Sequence, residues 1–261
     1  LWLVISNIIT RIFHQLKKEL KLDIYINMQL FFIPNLSKND KVAEFDKEES
    51  RHIFKVLRKD VGDSLNITNG LNYFFEASIS SISKNYCKID IKKTTKKSTL
   101  PYGLHIAISP LKSMERFEWF LEKSSEIGIS EITPIICDRT EKKHINEKRL
   151  RKVLVSAMKQ SLKSHLPLLN PITSLKEFLN IEFTDDLFIA HCEKLKKTTL
   201  LNSIKPKSSN LILIGPEGDF SEKEINLSNS KGFKSISLGD ARFRTETAGI
   251  IACHTVSIVN M

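Results

Sequence analysis

Glycine is scarce in this chain, with nine among 261 residues. None of the nine falls into G-x-G-x-x-G or G-x-x-x-x-G-K-[ST], so the dinucleotide fingerprint and the phosphate loop are both missing. A G-x-S-x-G elbow and an H-E-x-x-H pair are missing as well, so the common hydrolytic chemistries lack their parts. Cysteine is sparser still. Cys87, Cys137, Cys192 and Cys253 stand far apart with no C-x-x-C pair, which argues against a structural zinc site; no metal is expected. Cys137, Cys192 and Cys253 lie in apolar runs and read as buried packing residues, in keeping with a reduced, cytoplasmic setting. No apolar run approaches the roughly 20 residues of a bilayer-spanning helix, so no membrane partner is expected. The apolar opening, LWLVISNIIT over residues 1–10, is too short, and no small-residue cleavage site follows it.

Positive charge is what the chain has in excess. Forty Lys and Arg against thirty Asp and Glu leave a net charge of +10. Such a surface attracts polyanions, among which nucleic acid is the most abundant in a cell. The same wealth of Lys, Ile and Asn is what a biased genome produces, so charge alone leaves that question open. Hydrophobic residues at 41% and charged residues at 27% suit an ordinary globular chain.

Residues 1–27 differ in character from the rest. Met28 opens a strand pattern, MQLFFI, and the functional protein is expected to start there, with residues 1–27 an upstream extension. From Met28 the pattern is short strands broken by turns: Gln29–Phe32, Ser64–Thr68, Tyr73–Ile82 and Tyr86–Lys92. A single helix is expected over Lys47–Leu57, with Ile53, Phe54 and Leu57 on one face. Together these read as a small β-barrel over residues 28–97. A basic linker, KKTTKKSTLPYG, separates it from residues 98–261.

There the rhythm turns to α/β alternation. Strands are expected at Leu104–Ser109, Glu131–Ile136, Leu187–His191, Leu211–Ile214 and Lys234–Leu238. Helices are expected at Met114–Ile127, Asn146–Lys163, Glu222–Ser230 and Thr245–Val259. Such alternation implies a parallel sheet with helices on both faces, whose ligands bind beyond the carboxyl ends of the strands.

Two segments could carry chemistry there. In LILIGPEGDF, Gly215 and Gly218 bracket a tight turn after a strand, and Ser221 with Glu224 forms a capping box that opens a helix. In LGDARFRTETA, Arg242, Arg244 and Glu246 crowd beside Thr245 and Thr247 at the start of a long helix. Arginines at a helix N-terminus oppose the helix dipole, so a ligand or Glu246 accounts for them better than the helix does. A threonine there has capping as its plain structural role.

These residues resemble the RsmE family, bacterial 16S ribosomal RNA uracil-N3 methyltransferases of the SPOUT superfamily. The likeness rests on GPEG with Phe220 and Ser221, then LG and RTETA. It also rests on Arg51-His52 with Val56-Leu57-Arg58 and Gly62, KSMERFEWFLEKSSEIG from Lys112 to Gly128, Ile132-Thr-Pro134, and Gln160-Ser161 with Pro167. It departs at Asp219, where the family has a second glycine, at Asp240-Ala-Arg242, and at Lys163. The resemblance implies a PUA-like RNA-binding barrel before a SPOUT domain with a C-terminal trefoil knot. It also implies S-adenosyl-L-methionine as cofactor, 16S ribosomal RNA of the small subunit as substrate, and a homodimer.

By the same resemblance, the cofactor would be held by Leu213, Ile214, Gly215, Glu217, Gly218, Leu238, Gly239, Phe243 and Thr245. Arg244 and Glu246 would be catalytic, with Glu246 either orienting Arg244 or taking the uracil proton. His52, Arg58, Lys59, Gln160 and Arg242 would contact RNA, along with Lys55. An inactive RNA-binding SPOUT protein, and a SPOUT methyltransferase of another RNA, are the alternatives.

Overall fold

Residues 29–193 and 197–261 are described by the computed structural model, so the extension expected over residues 1–27 lies outside the described residues. The chain divides into two compact units. The first holds the described residues up to Asn69 together with Tyr73–Lys96; the second holds Gly70–Asn72 and Lys97–Met261.

Period-two alternation builds the first unit. Its strands are β1 (Leu30–Phe32), β2 (Val42–Phe45), β3 (Ser64–Thr68), β4 (Tyr73–Ser83) and β5 (Tyr86–Lys96), in the order β1-β3-β4-β5-β2. Phe75, Ala77 and Ile79 alternate inward from β4 and meet Ile67, Cys87 and Ile89 in one core. Register shifts at Glu76/Ala77 and Ile79/Ser81 are bulges, which curl the long β4–β5 pair.

The helix of this unit differs from expectation. Asp46 caps α1 (Lys47–Arg51) by accepting the Glu49 N–H at 2.8 Å. A π-helical turn then runs over His52–Val56, and the Leu57 N–H reaches back five residues to the His52 carbonyl at 3.1 Å. The wider turn changes the angular spacing of the side chains within it. Ile53 stays buried, whereas Phe54, expected on the same apolar face, is 41% exposed.

In the second unit the named strands pair in parallel throughout. The strands are β6 (Gly103–Ile108), β7 (Glu131–Ile136), β8 (Leu168–Leu169), β9 (Thr173–Ser174), β10 (Asp186–Ala190), β11 (Thr198–Thr199), β12 (Ser209–Ile214) and β13 (Lys234–Ser237). Their order is β11-β13-β10-β12-β6-β7-β8, with β9 also paired to β7. The helices are α2 (Met114–Ile127), α3 (Glu147–Gln160), α4 (Leu175–Phe178), α5 (Leu200–Ser203), α6 (Glu222–Ser230) and α7 (Thr245–Val259). Successive strand residues face opposite sides: Ile212 and Ile214 pack under α2, α3 and α7, while Leu211 and Leu213 pack with Phe178 of α4 and Ile225 of α6. Helices therefore cover both faces of a parallel sheet, as the alternation implied.

The cysteines need one correction. Cys137 and Cys253 are buried as expected and so is Cys87, but Cys192 is exposed. It follows the last residue of β10 by two positions, where the chain leaves the sheet and its apolar run ends. Burial pushes the Cys253 thiol up to about 12 and the Cys87 thiol up to about 11, so both stay protonated and inert. Among the described residues, no helix is long and apolar enough to cross a membrane.

Candidate functional site

Strand order creates the site. β10 lies between β12 and β13, and its last residue, Ala190, is level with both Ile214 and Ile236. Three neighbouring strands therefore end together. The segments that leave them open onto one cavity of about 660 Å³, a size suited to a small-molecule ligand.

The turn after β12 is folded tightly on itself. A side chain at Gly215 would place a Cβ 3.0 Å from the Phe220 ring and 3.2 Å from the Phe220 nitrogen. Asp219 has φ +63, a left-handed conformation that glycine adopts freely and Asp tolerates. Its carboxylate accepts the Cys192 N–H and the Phe220 N–H, both at 2.8 Å. Aspartate thus takes the backbone shape of a glycine and adds a clamp between the ends of β10 and β12. Beyond the turn, Ser221 and Glu224 form the expected capping box. Glu224 also accepts the Asp138 N–H at 2.8 Å, anchoring the turn to the loop after β7.

The segment after β13 crosses to meet this turn. Gly239 has φ +142, and the Ser237 hydroxyl both accepts its N–H and donates to its carbonyl. Arg244 is the extended N-cap residue of α7 and makes no side-chain cap. The Thr245 hydroxyl does not cap the helix either. It is buried and donates to the Gly215 carbonyl at 2.9 Å, tying the two segments together.

Glu246 is 6% exposed, with Oε1 4.0 Å from Nε of Arg116 on α2. Its Oε2 is buried without a hydrogen-bond partner. Among the described residues no ion pair joins Glu246 to Arg244. Arg244 is the extended, exposed residue before the helix, whereas Glu246 is buried and approaches Arg116 of α2.

Of the residues singled out from the sequence, Ile214, Gly215, Glu217, Leu238, Gly239, Arg242, Phe243, Arg244 and Thr245 line the cavity. Leu213 does not; strand alternation turns it into the core on the opposite face, against Phe220. Gly218 and Glu246 also lie outside the lining; the Gly218 carbonyl accepts the Arg139 guanidinium at 2.7 Å, and Glu246 is buried beside Arg116. His52, Arg58 and Lys59 belong to the strand unit, and Gln160 is exposed at the end of α3.

The sequence reading missed Ala190, His191, Cys192 and Lys197, which form the β10 side of the cavity. Their only signal was an apolar strand, DLFIA, ending in polar residues. His191 is 7% exposed, and neither ring nitrogen has a hydrogen-bond partner. Burial holds its pKa below the usual histidine value, and the nearby Lys197 ammonium lowers it further, against the carboxylates of Asp219 and Glu193. Lys197 also donates to the His191 carbonyl.

The cavity combines apolar walls, at Ile214, Leu238, Phe243 and Ala248, with strand-end backbone and a charged rim of Arg242, Arg244 and Glu217. That donor set fits a nucleoside bearing a charged tail, since backbone amides can read a base edge and the rim can hold the tail.

Comparison with known proteins agrees. A family model described as an RNA methyltransferase domain matches residues 98–257, and one described as an RNA methyltransferase PUA domain matches residues 45–92. The chain is 33% identical to ribosomal RNA small subunit methyltransferase E of Buchnera aphidicola, over 80% of this chain and 85% of that protein. A Porphyromonas gingivalis crystal structure described as a probable rRNA-methyltransferase superposes with a TM-score of 0.83 at 32% identity, covering 89% of this chain and 98% of that one. The ribosomal RNA small subunit methyltransferase E of Neisseria gonorrhoeae, solved bound to S-adenosyl methionine, superposes with a TM-score of 0.78 at 25% identity, covering 90% and 98%.

Proposed function

Because the chain belongs to the ribosomal RNA small subunit methyltransferase E family, we propose that it methylates N3 of a uridine in 16S ribosomal RNA of the small subunit, with S-adenosyl-L-methionine as cofactor. The observation that carries the reading is the cavity where β10, β12 and β13 end, with the segments after β12 and β13 joined by the Thr245–Gly215 hydrogen bond. Backbone groups of Gly215, Leu238 and Gly239 would meet the adenine, with Ile214 and Phe243 as walls. The bound cofactor supplies a methyl group already activated on a sulfonium.

The protein's own task is to position the uracil and to manage its N3 proton. Arg244 stands exposed at the cavity edge, where its fork can hold a uracil oxygen or a flanking phosphate, with Arg242 beside it. The unpartnered Oε2 of Glu246 supports that residue as the proton acceptor. Residues 28–97 act as a PUA-like RNA-binding unit, in which His52, Lys55, Arg58 and Lys59 on and beside the π-helical turn contact RNA backbone, while Gln160 serves the RNA from the second unit. The segments after β12 and β13 form a trefoil knot, as the family resemblance implies. The protein works in the cytoplasm as a homodimer.

The test is to map modified uridines in 16S ribosomal RNA from cells with and without this protein. Arg244→Ala is then assayed on small subunits. Its kcat is expected to fall by about 100-fold with cofactor affinity unchanged. A near wild-type kcat would sink the role of Arg244, and an unchanged uridine map would sink the reading itself.

A further inference from the structure

We propose that His191 is a cofactor-binding residue whose imidazole hydrogen-bonds the ribose hydroxyls of the bound nucleoside. This rests on the methyltransferase reading above and extends it to a third strand end.

Position is the first argument. His191 directly follows β10, the strand between β12 and β13, and lines the cavity midway between the GPEG turn and the LG segment. Its side chain is the second. A buried imidazole nearly always has a partner, because an unmade hydrogen bond costs the full desolvation of the group. His105 obeys that rule: it is buried, with Nε2 2.7 Å from the Thr133 hydroxyl. His191 is as deeply buried, and both of its ring nitrogens lack a partner. The protein therefore carries an unmet donor and an unmet acceptor at the wall of its ligand cavity.

Charge decides which part of the ligand they suit. Burial and the Lys197 ammonium keep the ring neutral, so it offers one N–H and one lone pair. The charged tail of the cofactor finds better partners in Glu217 and Lys197, which line the same cavity, and a base edge is served by strand-end backbone. The ribose diol remains, a neutral group whose hydroxyls both donate and accept. A turn of the ring on ligand entry gives one nitrogen a hydroxyl partner and removes that part of the desolvation cost.

The experiment is calorimetric titration of the full chain with S-adenosylhomocysteine and with its 2′-deoxy and 3′-deoxy analogues. Wild type, His191→Leu and His191→Asn are compared. Wild type is expected to lose about three- to tenfold in affinity for at least one deoxy analogue. His191→Leu is expected to bind S-adenosylhomocysteine about three- to tenfold more weakly and to lose that discrimination, with His191→Asn between the two. The ligand-free His191→Leu protein should melt at or above the wild-type temperature, because an apolar residue removes the unmet polar atoms.

A His191→Leu protein that binds and discriminates like wild type overturns the inference. So does one that melts earlier and weakens all three ligands equally, since that marks a structural residue. Unchanged affinity with a lowered kcat assigns His191 to proton transfer instead and overturns it too. If wild type itself fails to bind S-adenosylhomocysteine, the methyltransferase reading falls and the inference with it.

Discussion

Asp219 offers the sharpest test of how the cavity is held together, because two of its properties can be removed separately. Its left-handed backbone would cost an ordinary L-residue about 1–2 kcal/mol, and glycine nothing. Its carboxylate accepts two backbone N–H groups at 2.8 Å, one from Cys192 and one from Phe220. Bonds to a charged acceptor contribute about 1.5–3 kcal/mol each when sheltered, and about 1 kcal/mol each is a fair figure at this half-exposed position.

Asp219→Gly frees the backbone but loses both bonds, for a net loss of about 1–2 kcal/mol. Asp219→Ala loses both bonds and adds about 1 kcal/mol of backbone cost, because alanine tolerates the left-handed region less well than aspartate, for about 3 kcal/mol in all. Asp219→Asn tolerates the conformation and keeps one acceptor oxygen, for about 1 kcal/mol. The expected order of urea midpoints is wild type, Asn, Gly, Ala, and cofactor affinity should follow the same order as the clamp between β10 and β12 loosens. Equal midpoints for Gly and Ala would refute the backbone argument. A Gly variant more stable than wild type would refute the clamp.

Three further outcomes follow from the same structure. In Gly249→Ala the new Cβ would sit 2.6 Å from the Phe120 ring, so overpacking should cost about 1–3 kcal/mol in urea unfolding, with Phe120→Leu restoring most of it; no cost would contradict the close α2–α7 approach. His105, His165 and His191 are all held below the ordinary histidine value of 6.5, in each case chiefly by burial. The unfolded chain then takes up protons first. The stability is whole above about pH 6.5 and should fall as the pH is lowered through that value, and a urea midpoint that stays flat as the pH is lowered would count against neutral histidines in the fold. Replacing Lys55, Arg58 and Lys59 together by Ala should make RNA binding less salt-dependent, by about 0.7–0.9 in log–log slope for each phosphate no longer neutralised; an unchanged slope places the RNA elsewhere.

Much of the fold could be read in the sequence where pattern and punctuation agree. β3, β7, α2, α6 and α7 have the limits expected, because each joins a clear period to a cap or turn. β2 was missed because only Phe45 of its four residues is buried, so it carries no alternation to see. The π-helical turn was invisible for a related reason: a periodicity argument assumes a constant number of residues per turn, and Phe54 shows the consequence. At the site, two strand ends announced themselves through glycines and arginines. The third carried neither, and His191 became visible only once strand pairing set β10 between the other two. Leu213 sits in the right segment for the cavity, although strand alternation already turns it away from its neighbour Ile214.

The position of β12 in the sheet has a consequence for how the protein is made. β6 and β10 both precede β12 in the chain, yet they do not pair with each other, because β12 lies between them. As the polypeptide leaves the ribosome, the β6–β7 piece and β10 must wait, each with an open parallel edge, until Ser209–Ile214 emerges and bridges them. The strand that completes the sheet also carries the GPEG turn, and β13 and α7 come later still. A nascent chain therefore has no cofactor cavity until almost its whole length has been synthesised. A chain that stalls short of β12 leaves unsatisfied strand edges, the surfaces most prone to aggregation and most in need of a chaperone.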